Sequence, residues 1–206
     1  MSDTETGQGK TGSSKADKVL AAARRLFIEH GYDETSMDAI AATADVSKAT
    51  VYAHYASKRA LFAAMVQHKC KAATARMRVP EEVDDMAPAV ALQRIGAGFL
   101  HAILSPESIP LLRVVIAETR RFPELGWIFY TAGPGVTQRG VVDYMERARD
   151  RGALSIADCE MAAAQFLGML RGDLHLQLML GLSLQDVALD DIAREAVETF
   201  LARYAA

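Results

Sequence analysis

Apolar residues return with the period of an α-helix along almost the whole of this chain, and nowhere is the every-second-residue alternation of a half-buried strand sustained. That pattern restricts the fold to the all-α class. A first helix is expected from about Lys15 to His30, where Val19, Ala23, Leu26, Phe27 and His30 share a face and Gly31 supplies the stop. A short second helix follows the capping residue Ser36, carries Met37, Ile40, Ala41 and Ala44 on one side, and ends near Asp45. Ser47 caps a third, Lys48 to about His54, whose inward side is marked by Val51 and Tyr55. Ser57 caps a longer fourth, helix 57–79, which ends at Pro80 and the acidic linker Glu81 to Asp85. Five further helices are expected at about Pro88 to Leu104, Pro106 to Arg121, Pro123 to Arg149, Ala157 to Leu180 and Leu184 to Tyr204. The third of these is kinked or broken at Gly133-Pro134-Gly135.

The 206 residues, half of them hydrophobic, suffice for a small domain joined to a larger one. Met1 to Ser14, rich in Ser, Thr and Gly, lacks the apolar segment of a signal peptide and reads as a disordered tail. No stretch approaches the roughly 18 uninterrupted apolar residues of a membrane span, because even Ile109 to Ala117 contains Arg113. A soluble protein with no membrane partner is expected. Cys70 and Cys159 have no metal-ligand spacing and sit in helical patterns, so neither a metal site nor a disulfide framework is expected, and a reducing cytoplasm fits. Net charge is −3, but it is unevenly placed: 12 Lys/Arg face 8 Asp/Glu before Val79, against 11 and 18 in the remainder. A basic module that meets a polyanion and an acidic body that does not would carry such a split.

The informative stretch is Ser36 to Tyr55. Two short helices that pack at a steep angle need a small residue at the crossing, which Ala41 provides, and a shared core, which Ile40, Val46 and Val51 provide. The tight turn between them falls at Asp45, a residue that tolerates left-handed backbone better than most. Periodicity alone describes a helix-turn-helix and an ordinary pair of amphipathic helices equally well.

The longer run Gly31 to Phe62, GYDETSMDAIAATADVSKATVYAHYASKRALF, closely resembles the DNA-binding domain of the TetR/AcrR family. The matches are the glycine after helix one, the Ile-Ala pair, the Val-Ser start of the recognition helix, the Thr-x-Tyr-x-His-aromatic core and the Ser-Lys start of helix four. Asp45 replaces the usual Gly, Tyr55 the usual Phe and Arg59 the common Glu. More weakly, Leu111 to Gly135, LLRVVIAETRRFPELGWIFYTAGPG, resembles the AefR-type C-terminal domain of one branch of that family. The resemblance implies an N-terminal three-helix DNA-binding domain at 15–61, with its motif at 36–55. A helical ligand-sensing and dimerisation domain at 62–206 would follow, helix 57–79 linking the two. It implies three partners: a double-stranded DNA operator, a second copy of the chain, and an unknown small-molecule effector.

A third helix that is polar outward suits the major groove, whose width admits one helix and whose base edges carry the sequence code. Lys48, Thr50, Ala53 and His54 are expected to face DNA, with Tyr52 near the phosphates. By resemblance Thr50, Tyr52 and Lys58 are backbone anchors, while Lys48 and Ala53 lie where base choice is made. Ser36 and Ser47 cap helix starts whose amides can take a phosphate. Tyr55 reads better as a core aromatic, and His54 equally well as a structural histidine.

No nucleophile elbow, phosphate loop, zinc-helix motif or dinucleotide fingerprint appears, so catalysis and a cofactor are not expected. The alternative function is a helical adaptor that keeps the motif but works through protein contacts; retention of Lys48 and Lys58 speaks for DNA instead. The later helices hold an excess of large apolar side chains with a few polar ones, which describes either a filled core or a ligand cavity. Phe99, Ile103, Val115, Glu118, Trp127, Phe129, Phe166, Met169 and His175 are the candidate ligand residues, on the strength of the resemblance. It also implies a repressor released by a small, largely apolar molecule, and dimerisation through the last two helices.

Overall fold

The computed structural model describes residues 14–77, 85–184 and 187–206, so the expected N-terminal tail before Ser14 and most of the expected acidic linker lie outside the described residues. The described residues form helices with a single isolated bridge between Leu154 and Ala205. The chain divides into two compact units, the first ending at Met65 and the second beginning at Val66.

In the first unit, α1 (Lys15–Glu34) opens with a reciprocal cap: Ser14 Oγ accepts from the Asp17 amide and the Asp17 carboxylate accepts from the Ser14 amide, each at 3.1 Å. Gly31 interrupts α1 at φ 81° and ψ 171°, a backbone state open to glycine alone, and the chain regains one helical turn through Glu34. The stop expected at Gly31 is therefore a break inside a longer element. The corner that follows is held by the buried Thr35, whose hydroxyl lies 2.8 Å from the Gly31 carbonyl oxygen and 3.1 Å from that of Leu26. α2 (Met37–Thr43) and α3 (Lys48–His54) come next, and α4 (Lys58–Met77) begins in this unit and continues into the second. Phe27, Tyr32 and Phe62 form an aromatic triangle with ring centroids 5.4–5.5 Å apart. Val19, Ala23, Leu26, Ile40, Val51 and Leu61 are among the other buried side chains of this unit.

The second unit holds α5 (Pro88–Ile103), α6 (Ser108–Thr119), α7 (Pro123–Ala132), α8 (Pro134–Asp150), α9 (Cys159–Arg171), α10 (Leu174–Met179) and α11 (Leu189–Tyr204). Its core is the shared interior of α5, α8, α9 and α11, with Leu92, Phe99, Tyr144, Met145, Phe166 and Phe200 among the buried side chains. Gly96 marks a close approach of α5 to α9 and α11: a β-carbon there would stand 3.0 Å from Leu170 Cδ2 and 3.5 Å from Ala193 Cβ. The expected break at Gly133-Pro134-Gly135 separates α7 from α8. The single helix expected at Ala157 to Leu180 is instead two, because Gly172 at φ 45° and ψ −142° ends α9 and α10 restarts after Asp173. α6 starts at Ser108 rather than Pro106, where the Ser105 hydroxyl accepts from the Ser108 amide at 3.2 Å. Among the described residues no single helix is long and apolar enough to cross a membrane.

Candidate nucleic-acid interface

α2 and α3 meet at a turn built by one residue. Asp45 has φ 54°, the one positive value at a non-glycine among the described residues, and the Val46 amide behind it donates to the Ala41 carbonyl at 3.1 Å. Both helix starts are capped: Ser36 Oγ accepts from the Ala39 amide at 3.0 Å, and Ser47 Oγ from the Thr50 amide at 3.1 Å. The Ser47 and Thr50 hydroxyl oxygens are also 2.8 Å apart, which fixes the Thr50 side chain over the first turn of α3.

Val51 is the only side chain of α3 that is fully buried; it anchors the helix through the apolar interior. Lys48, Ala49, Tyr52, Ala53 and His54 are exposed, Thr50 is half-buried, and Tyr55 is half-buried just past the end. The expected DNA-facing residues of α3 thus share one helix, and the exposed Ala49, which sequence reasoning passed over, lies on it too. Burial pushes the Tyr55 phenol above its ordinary range, in keeping with its reading as a packing residue.

The two lysines differ. Lys48 Nζ is exposed, lies 2.8 Å from Asp38 Oδ1 and sits 5.9 Å from the Tyr52 ring centroid; the hydrogen bond with Asp38 raises its pKa. Asp38, in the first turn of α2, was not singled out by sequence reasoning, and a ten-residue separation of opposite charges is too common to have signalled the pair. Lys58 turns the other way: its Nζ donates to the main-chain oxygens of Tyr32 at 2.8 Å and Asp33 at 3.0 Å and lies 4.6 Å from the Tyr32 ring centroid. Sequence spacing held no hint of that contact across twenty-six residues.

The ligand candidates do not gather in one place. Phe99 and Phe166 are part of the packed core of the second unit, and Ile103 lies against it. Val115 is buried on α6, while Glu118 and Phe129 are half-buried on α6 and α7. Trp127 is 69% exposed on α7, where Leu125 is the one buried side chain. Met169 faces outward from α9 and lines an open surface groove of about 430 Å³ with Asp191, Ile192, Glu195, Ala196 and Thr199 of α11. His175 is half-buried on α10, and burial, with Arg171 nearby, lowers its pKa. Among the described residues no group of three or more His, Cys, Asp or Glu side chains could hold a metal ion.

Comparison with known proteins agrees with this division of the chain. Residues 19–65 match the family described as bacterial regulatory proteins, tetR family, and residues 90–206 match the AefR-like transcriptional repressor, C-terminal domain. The HTH-type transcriptional regulator UidR of Escherichia coli (strain K12) is 30% identical over 183 residues, covering 87% of this chain and 84% of its own length. The solved structure of the flavonoid-responsive regulator FrrA is 37% identical with a TM-score of 0.80, covering 93% of this chain and 97% of that one. A TetR-family transcriptional regulator from Mesorhizobium loti is 29% identical with a TM-score of 0.79 over the same shares.

Proposed function

Because this chain belongs to the TetR family of helix-turn-helix transcriptional regulators, whose members bind DNA operators and act as dimers, we propose that it is a cytoplasmic homodimeric repressor that a small, largely apolar ligand releases from its operator. The observation that carries the DNA reading is α3: it is short, capped, buries only Val51, and turns Lys48, Tyr52, Ala53 and His54 outward. Such a helix reads only a few base pairs. Two copies set about 34 Å apart, or a multiple of that, on a pseudo-palindrome provide the specificity one lacks. Lys48 and Ala53 select bases, Thr50 and Tyr52 hold phosphates, and the amides of the helix starts capped by Ser36 and Ser47 add further phosphate contacts.

Dimerisation runs through α9 and α11. The outward side of α9 carries Met161, Ala164, Gly168 and Met169, all exposed, and nothing would lie within 4 Å of a β-carbon at Gly168. Small and apolar residues in that arrangement suit close packing against a second helix pair. The effector reading is supported by the likeness to FrrA, whose name makes it flavonoid-responsive, so a flat aromatic molecule is the first class to try. Phe129, Glu118 and His175, none of them fully buried, supply candidate stacking and hydrogen-bonding groups. A coupling of roughly 1–3 kcal/mol would lower operator affinity by about 5- to 150-fold, carried by α4, which belongs to both units.

Selection of genomic fragments by the purified full-length protein, followed by titration over a salt series, tests the reading. The expected result is a pseudo-palindromic site preferred over bulk DNA, with affinity falling steeply as salt rises and falling again on adding an active flavonoid. No preference for any fragment at moderate salt would reject the regulator and turn attention to the adaptor.

A further inference from the structure

Asp38 and Lys48 stand in the first turns of α2 and α3, so their ion pair bridges the starts of the two helices. Lys48 Nζ lies 2.8 Å from Asp38 Oδ1 and 2.9 Å from Oδ2, and the two side chains are 60% and 62% exposed. An ion pair that open contributes little to stability. An acid in the first turn of α2 suits that helix start with or without a lysine against it. The fold therefore gives no strong reason for the pair. Its place does, because the N-terminal residues of a recognition helix are those that meet base edges.

A carboxylate there is costly on any DNA, since it stands among groups that approach phosphates. The cost is offset only where the groove supplies a hydrogen-bond donor. Across the major groove a G·C pair presents two adjacent acceptors, guanine N7 and O6, and then one donor, cytosine N4. An A·T pair sets its donor, adenine N6, between two acceptors and ends in a methyl group. The protein carries the complement of the first pattern: an ammonium with three donors beside a carboxylate that only accepts. Guanine O6 and cytosine N4 are hydrogen-bonded to each other, about 2.9 Å apart, which matches the separation of Nζ from the Asp38 oxygens. Asp38 also holds the flexible lysine stem in one direction before DNA arrives, which lowers the ordering cost of binding.

Resting on the DNA-binding reading of α3, we propose that Asp38 and Lys48 act as one specificity element that reads a single G·C pair in each half-site. Lys48 donates to guanine O6 and N7, and Asp38 accepts from cytosine N4. The fixed order of the two groups sets which strand carries the guanine. On the wrong pair a desolvated polar group lacks its partner, and a contact of this kind discriminates by about 5- to 150-fold.

In the test, full-length wild type, Asp38→Asn, Lys48→Met and the double variant each select sites from a random-sequence duplex pool. Affinities are then measured for the wild-type site and for the same site with each G·C pair replaced in turn. Every comparison is a ratio between two DNAs on one protein, so a variant that folds less completely keeps its ratios. The expected result is one G·C position per half-site where replacement by A·T costs the wild type about 5- to 150-fold. Both single variants lose discrimination at that same position, and the double variant loses no more than the larger single loss. Single variants that change preference at two different positions, or that lower affinity for all DNAs alike with preference intact, overturn the proposal. A wild-type site with no such G·C position sinks the pair alone, whereas a wild type that prefers no site at all fails the regulator reading and takes the pair with it.

Discussion

Replacing Thr35 by Val keeps the shape of the side chain and removes its hydroxyl. Thr35 is 3% exposed, and its Oγ1 lies 2.8 Å from the Gly31 oxygen and 3.1 Å from the Leu26 oxygen. A single O–H cannot donate fully to both, so the shorter contact to Gly31 dominates. That carbonyl sits where φ 81° has taken the chain out of its helix. Loss of the donor leaves a buried acceptor short of a partner, which costs about 1–3 kcal/mol. A loss of about 2 kcal/mol lowers the melting temperature of a chain of this length by about 4–8 °C. Thr35→Ser is the control: it keeps the hydroxyl and forfeits one buried methyl group, worth about 0.8 kcal/mol. Scanning calorimetry on the full-length proteins is expected to order them wild type, Ser, Val. Operator affinity follows the same order, since Thr35 adjoins Ser36, the cap of α2. A Val variant as stable as the Ser variant would refute the hydrogen-bond account and leave packing as the role of the residue.

Asp38→Asn removes the carboxylate that holds Lys48, so binding to bulk DNA is expected to strengthen and its salt slope to steepen by up to about 0.9; an unchanged slope would mean that Lys48 does not reach a phosphate once freed. Gly133→Ala places a β-carbon 3.0 Å from Cys70 Sγ and is expected to destabilise by about 1–3 kcal/mol, with much of the loss recovered in the double variant with Cys70→Ala. Strict additivity in that double-mutant cycle would show that the sulfur is not the obstacle. His175 has a folded pKa below its ordinary 6.5, so as pH falls below 6.5 the unfolded chain takes up the proton first and stability declines until the folded pKa is passed. His175→Gln is expected to flatten the stability profile of urea unfolding in that window, and an identical decline in both proteins would assign it to other groups.

The parts legible in the sequence are those governed by local rules. Ser36, Ser47 and Ser57 cap helices because their oxygens reach amides three residues on, and Asp45 takes the left-handed turn that the spacing of Ile40, Val46 and Val51 demands. The break at Gly172 was hidden because the apolar pattern runs on through Leu174 and Leu178 as though one helix continued. The exposure of Trp127 was equally hidden, since Leu125, Trp127, Ile128, Phe129 and Tyr130 put apolar side chains on several sides of α7 and do not declare which of them faces the core. Asp38 against Lys48 and Lys58 against the end of α1 are tertiary contacts between exposed or half-buried groups, and no periodicity encodes them.

That α3 buries one side chain, Val51, shapes how such a protein can change over generations. Substitutions at exposed helix positions away from caps and networks usually alter stability by no more than about 0.5 kcal/mol. Ala49, Ala53 and His54 are exposed positions of that kind on the face turned outward. New side chains can therefore be sampled there while the domain keeps folding, and a duplicated copy can drift toward a different operator one substitution at a time. Val51, wholly enclosed, is barred from that drift and holds the helix in register while its neighbours vary.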